Sequence, residues 1–509
     1  MESSSLACTG AAAPPTVAVR TAPPRPHVVL VASPGAGHLI PMAELARRLV
    51  ADSGLAATLV TFTAAADRSV PGAPASVLSS LRAAGVAAAA LPAVPLDDLP
   101  AGAGVAAVLL ELIRRSVPHL RALLRGISSG SGAAPLTALV PDFFSSSMLP
   151  LAGEFGVPGY IFFPGNLAGN VVMRSAMESN EGASAAGEYR DLPDSVRLPG
   201  GASLRHADLP SAFRDCKAPV FASILDEGRR HRAVAGFLVN TFYEMEPDNV
   251  EELRRAAEQG AYPPVYPVGP LVRSDAAEED DASACLEWLD RQPEGSVVYV
   301  SFGSAGALSL QQTAELAAGL EASGYRFLWV VRMPSLGTTG RSHHGDVDDD
   351  DPLAWLPEGF LERTSGRGLA VAAWAPQVRV LSHPATAAFV SHCGWNSTLE
   401  GVAAGVPMLA WPLYAEQRMN AAVLTEVTGV ALRLGAAADG LIAREEIAAA
   451  VRELMDGEMG REVGRRAGDL RQAAARAWAA DGSSRRAMEE VAGKWRAAAL
   501  AKVSIAGSN

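Results

Sequence analysis

The chain has 509 residues, too many for one ordinary domain, and 49% of them are hydrophobic, with much of that share alanine. Its 43 basic side chains are outnumbered by 55 acidic ones, and a formal charge of −12 argues against a binder of the nucleic-acid backbone. The four cysteines, Cys8, Cys216, Cys285 and Cys393, lie too far apart for a C-x-x-C site, so neither a disulfide framework nor a zinc motif is read and a reducing compartment such as the cytosol is expected.

Residues 1–25 are rich in Ala, Pro, Ser and Thr and lack the apolar core of a signal peptide. A disordered tail is expected, with a transit peptide left open because acidic residues are scarce there. No run reaches the roughly 18 apolar residues of a membrane span. The best attempt, "AGVAAVLL" at 103–110, is followed by Glu111 and Arg114.

The first buried strand is "HVVLVAS" (27–33). A glycine loop, "PGAGHLIP", and a helical stretch, "MAELARRLV", follow it. Further apolar runs stand at 56–62, 136–144 and 159–164, and "GFLVNTFYEME" (236–246) closes this half. Strands alternating with helices imply a parallel sheet covered on both faces. "YPPVYPVGPL" (262–271) reads as an extended linker and "SDAAEEDDASA" as an acidic loop after it. The alternation then restarts with "SVVYVSFGS" (296–304), "YRFLWVVR" (325–332), "LAVAAWAPQ" (369–377), "AAFVSHCG" (387–394) and "VPMLAWPLY" (406–414). "SLGTTGRSHHGDVDDDDP" (335–352), with His343 and His344, reads as a solvated loop rather than a metal site. The expected division is a tail at 1–25, an α/β domain at 26–260, a linker at 261–285, a second α/β domain at 286–485 and a C-terminal helix at 486–509.

In open parallel sheets, ligands bind beyond the carboxyl ends of the strands. Four strand ends of the second half carry small, polar or aromatic residues: Gly303 and Ser304; Trp374 and Gln377; His392 through Ser397; and Tyr414, Glu416 and Gln417. They point to one crevice. "SHCGWNS" (391–397) joins a strand to a helix whose first N–H groups lack partners and carry about half a positive charge. With Gly394 clearing the approach and Asn396 and Ser397 adding donors, this suits a phosphate. A Ser397–Glu400 capping box, which needs no ligand, is the competing reading. Glu400 suits sugar hydroxyls better than phosphate. Trp374 offers a face for a base, or is core.

The stretch from Trp374 to Gln417, "WAPQVRVLSHPATAAFVSHCGWNSTLEGVAAGVPMLAWPLYAEQ", resembles the complete signature of plant secondary-product glycosyltransferases. "SPGAGHLIPMAELARRL", "YPVGPL", "CLEWLD" and "VYVSFGS" extend the likeness over most of the chain, and within the family it is most similar to the hydroquinone glucosyltransferase branch. The resemblance implies an α/β chain of two facing Rossmann-like domains (a GT-B fold) with the active site between them. It implies that Trp374 stacks on uracil and the Ala375 backbone pairs with its edge. Gln377 and Glu400 would hold the ribose. Ser304, His392, Asn396 and Ser397 would hold the diphosphate. Trp395, Glu416 and Gln417 would meet the sugar, the glutamine favouring glucose. It further implies a helix crossing back onto the first domain and a UDP-sugar donor with a small phenolic acceptor.

The base is sought in the first half. His38 follows a strand, sits beside Gly35 and Gly37 and precedes a helix, whose N-terminus should keep the ring neutral near its usual value of about 6.5. Asp142, ending "LTALVPD", is placed to fix its tautomer, a serine-protease triad without the serine. Matching residues do this in the family; Pro141 stands where relatives carry an apolar residue. Phe143 and Phe144 line an acceptor pocket or belong to the core. An inverting, metal-independent, cofactor-free transfer by a monomer is expected, on hydroquinone, a monolignol or a similar phenol, or alternatively on flavonoids, hormones or xenobiotics. A nicotinamide enzyme fits less well, because Gly35 and Gly37 are followed by Ile40 where G-x-G-x-x-G needs glycine. A UDP-sugar binder without catalysis predicts loss of His38 or Asp142.

Overall fold

The computed structural model describes residues 25–63, 72–100, 103–129, 134–183, 189–273, 283–335, 351–372, 374–435 and 440–506, with the backbone alone at Ser283 and 502–506. The N-terminal tail up to residue 24, most of the acidic loop and the stretch holding His343 and His344 lie outside them.

The first domain is built on strands β1 (His27–Val31), β2 (Ala56–Phe62), β3 (Ala87–Leu91) and β4 (Leu136–Pro141), parallel and ordered β3-β2-β1-β4. Bridges from Leu139 to Gly159 and from Asp142 to Phe162 carry the layer on to β5 (Ile161–Phe163). The hairpin β6 (Ser195–Arg197) and β7 (Ser203–Arg205) lies apart from the sheet, while β8 (Phe237–Val239) and β9 (Val265–Pro267) complete the row β5-β8-β9. The unbroken Val and Leu run of β1 is buried almost throughout because helices cover both faces. The Pro-rich stretch expected as a linker therefore belongs in part to the first domain. Val265–Pro267 is an edge strand paired to β8, and Tyr266, Val268 and Leu271 sit in the first-domain core. An edge position tolerates proline, which cannot donate to a ladder on its outer side.

The second domain is a parallel sheet of β10 (Val297–Ser301), β11 (Arg326–Val331), β12 (Gly368–Ala372), β13 (Thr386–Ser391), β14 (Met408–Ala410) and β15 (Ala431–Arg433). Its order is β12-β11-β10-β13-β14-β15. Both sheets reverse their winding beside their first strand, between β1 and β4 and between β10 and β13. Such switch points open a crevice for ligands, and here the two crevices face each other. The last helix, Ser483–Ala506, turns Met488, Val491, Ala492 and Trp495 into the first-domain core beside Leu30 and Tyr160. That spacing is one helical stripe. Among the described residues, no helix is long and apolar enough to cross a membrane.

Candidate active site

The first-domain crevice is organised by one buried carboxylate. Asp142, fully buried, directly follows β4 and caps the short helical turn Phe143–Met148. Its oxygens accept from the Ser33 N–H at 2.8 Å, the Ser33 hydroxyl at 2.6 Å, the Ser145 N–H at 3.0 Å and His38 Nδ1 at 2.8 Å. Burial alone would raise this carboxyl, but the neighbouring imidazole and the serine donors outweigh it and hold it below the usual range. Pro141 does not disturb the register, since the Asp142 N–H still reaches the Val31 carbonyl at 3.0 Å.

His38 lies inside the helix Ala36–Ser53 rather than in a loop before it. The glycine loop is shorter than expected: Gly35, at φ 113°, makes the turn, and the Leu39 N–H already bonds to Gly35 O at 3.0 Å. The ring is 20% exposed, and Nδ1 is committed to Asp142, which leaves Nε2 as a lone-pair acceptor. Its basicity differs from the expectation of an ordinary imidazole. Burial lowers the pKa, but the Asp142 charge and hydrogen bond, with Glu416 across the cleft, more than compensate, so it is raised.

The second-domain side is a strained turn. Cys393 ends the path from β13 at φ 62°, a left-handed conformation rare outside glycine. It aims the following helix, Trp395–Ala404, at the cleft, and no side chain caps that helix start. Ser397 lies inside the helix, so the Ser397–Glu400 capping box does not form. Both side chains instead accept from the Gln377 amide, at 2.8 Å and 2.6 Å, while Tyr299 donates to Gln377 Oε1 at 3.3 Å. His392 is tightly enclosed. Burial pushes its pKa down to about 4, so it is neutral and can donate to an anion only through the matching tautomer. A Cβ on Gly303 would lie 2.6 Å from its Nε2, and one on Gly394 would also collide with that atom. The Cys393 thiol is fully buried and pushed up to about 12, and no group of three or more His, Cys, Asp or Glu could hold a metal among the described residues.

The remaining expected residues surround the same cleft, of about 1030 Å³. Trp374 is 43% exposed and lines it, so it is not core. Ser304, Ala375, Asn396, Tyr414 and Glu416 line it too. The carbonyl of buried Gln417 accepts from the N–H groups of Leu413 and Tyr414, and its side chain also bonds the Tyr414 hydroxyl at the cleft. Trp395 is buried, and its indole N–H is taken by the Asn240 carbonyl at 2.6 Å. What it offers at the helix start is its backbone. Phe143 and Phe144 do both jobs left open: each lines the cleft and packs against a core cluster, and Phe144 lies 5.2 Å from the His38 ring. Sequence reasoning missed Ser33, Ser145, Tyr299, Asn166 and Asn420. For Ser33 a signal existed, since it ends the first strand beside the glycine loop.

A parallel-sheet domain with an imidazole beside a buried carboxylate faces another with an uncapped helix start and an exposed indole, the GT-B arrangement that solved glycosyltransferases share. A family model, "UDP-glucoronosyl and UDP-glucosyl transferase", matches residues 264–466. The chain is 44% identical to a hydroquinone glucosyltransferase of Rauvolfia serpentina over 470 residues, 92% of this chain and 98% of that protein. It is 43% identical to UDP-glycosyltransferase 72B1 of Arabidopsis thaliana over 93% of this chain and 96% of that one. The fold matches Phytolacca americana UGT2, solved with UDP-2-fluoro-glucose and pterostilbene, at a TM-score of 0.80 and 38% identity over 92% of this chain and all of that one. It also matches a Polygonum tinctorium UDP-glucosyltransferase capable of glucosylating indoxyl at 0.81 and 41% identity, covering 94% of this chain and all of that one. The chain belongs to the plant UDP-glycosyltransferase family, and it is a UDP-glucosyltransferase that takes a sugar donor and a small-molecule acceptor.

Proposed function

We propose that this enzyme glucosylates the hydroxyl of a small phenol by direct displacement, with His38 as general base and Asp142 as its orienting partner. The observation that carries the reading is the 2.8 Å bond from His38 Nδ1 to a carboxylate that has its other lone pairs satisfied, at the mouth of an aromatic-lined cleft. His38 Nε2 takes the acceptor's proton. The phenolic oxygen forms a bond to the anomeric carbon from the face opposite the leaving group. The bond from that carbon to the diphosphate oxygen breaks, UDP leaves with the electron pair, and an α-linked donor gives a β-glucoside. Asp142 stabilises the imidazolium that forms. The charge on the departing diphosphate meets the uncapped start of the Trp395–Ala404 helix, with Ser304, Asn396, Ser397 and neutral His392 as donors. Gln377 and Glu400, already bonded to each other, would receive the ribose, and Glu416 with the Gln417 amide would receive the glucose hydroxyls.

The aromatic wall of Phe143, Phe144 and Phe163 favours a flat acceptor. The relatives' names point the same way: hydroquinone glucosyltransferase and phloretin 2'-O-glucosyltransferase. The test is turnover of UDP-glucose with a panel of phenols spanning hydroquinone, monolignols and flavonoids. A panel with no β-glucoside from any phenol, while UDP still quenches tryptophan fluorescence, sinks the assignment.

Two expected results bear on the donor. Trp374→Ala removes a base-stacking face worth about 1–3 kcal/mol, and a calorimetric UDP titration should register a weaker Kd by that amount. We assign the diphosphate charge to the helix start rather than to a metal, so the rate should be the same with EDTA as with added magnesium; a rate that needs the cation overturns that assignment.

A further inference from the structure

The donor turn is also held by two buried asparagines at the edge of the same cleft. Asn420, fully buried on the short helix Gln417–Ala422, donates from Nδ2 to the Cys393 carbonyl at 2.8 Å. Its Oδ1 accepts from Asn166 Nδ2, in the other domain, at 2.7 Å. Asn166 is buried as well, and its own Oδ1 accepts from the Gly169 N–H at 3.1 Å, capping the helix Leu167–Ser179. The cap needs the oxygen of Asn166, so its nitrogen must face Asn420, and the nitrogen of Asn420 must then face Cys393. Each amide has one workable orientation. The chain of bonds joins two places 254 residues apart in sequence. At one end is the only described residue besides Ala415 that is not glycine and has positive φ. At the other is the helix whose first turns form part of the acceptor wall through Gly169 and Met173.

We propose that Asn420 is a positioning residue, with Asn166 as its partner. It acts through the Cys393 carbonyl to keep the strained donor turn in register with the acceptor-domain helix, and so sets the gap between His38 and the anomeric carbon. A strained turn persists only where its surroundings over-determine it. Removing one partner also leaves a buried amide group unpaired. A second link runs parallel to it. Pro41 has no N–H to return to the Gly37 carbonyl within the His38 helix, and that carbonyl accepts instead from Asn396 across the cleft at 3.4 Å. The proposal rests on the reading of the turn as the seat of the diphosphate.

Asn166→Asp is the sharper variant. The aspartate keeps the cap oxygen for Gly169, so the helix start is preserved. It has no hydrogen to give Asn420, and whichever way Asn420 then turns, one of its two bonds is lost. Asn420→Ala and the double variant complete a cycle. In both single variants kcat should fall about tenfold or more, since misplacement on the order of 1 Å costs about 10²-fold. The Kd for UDP should stay within about threefold of wild type, and the double variant should be no worse than Asn420→Ala, as expected for residues acting as one unit. Amide exchange measured without substrate, well below the thermal midpoint of the variant, should rise at residues 394–397 in Asn166→Asp.

Wild-type kcat within about twofold in Asn166→Asp, with unchanged exchange at the turn, overturns the proposal. So does a loss carried entirely by UDP affinity, or additive losses in the double variant. If kcat and exchange in Asn166→Asp change as expected while Gly394→Ala binds UDP as wild type does, the positioning role stands and the reading of the turn as the diphosphate seat fails, so the two are separable.

Discussion

His38→Ala is expected to lower kcat by about 10²- to 10⁴-fold, the range a positioned base supplies, while UDP still binds. His38 belongs to the first domain, and the donor residues belong to the second, so nothing that receives the nucleotide is removed. The pH profile carries the finer test. The base must be neutral to accept a proton, and the folded site raises the pKa of this imidazole. kcat/KM should therefore climb with pH through a midpoint above the ordinary value of about 6.5. The acidic side is lost because protonated His38 cannot take the acceptor's proton. In Asp142→Asn the charge that raises the pKa disappears, so the midpoint moves down while the plateau falls, by as much as about 10⁴-fold where the wrong tautomer is selected. A profile of Asp142→Asn with the wild-type midpoint sinks the orienting role. Full activity in His38→Ala sinks the mechanism.

Gly394→Ala is expected to weaken UDP binding by at least about tenfold, measured by fluorescence titration. Its backbone, at φ −61° and ψ 139°, suits alanine, so conformational strain is not the cause. The added methyl would strike the His392 ring, which cannot swing toward Gly303 without closing on that backbone as well. Either the ring leaves the donor site or the helix start retreats from it. Both degrade the anion seat, whose value lies in fixed donors. Gly464→Ala is the matched control, since nothing lies within 4 Å of its added methyl on the helix Glu458–Ala477. Wild-type UDP affinity in Gly394→Ala would falsify the assignment of this turn to the diphosphate.

Much of this molecule is local. Strands such as Val28–Val31 and Val297–Val300 announce themselves by unbroken apolar runs, and the helix that follows each is read from spacing within a few residues. The donor stretch from Trp374 to Gln417 was legible for the same reason: a strand end, a glycine and a helix start are neighbours along the chain. Those features, with the resemblance they carry, determined the fold class and the donor chemistry. Tertiary structure decided what depends on distant segments meeting. His38 and Asp142 are 104 residues apart, and only their contact makes the ring more basic than its helix position suggests. Burial of His392, set by packing around it, keeps that ring neutral. The Pro-rich stretch became a strand because β8 offered it an edge, which no turn or spacing signal encodes. Likewise the Ser397–Glu400 spacing was a fair capping box until Gln377, from another strand end, claimed both side chains. Hydrogen-bond partners are chosen by proximity in space, and proximity between segments a hundred or more residues apart is a property of the packed sheets alone.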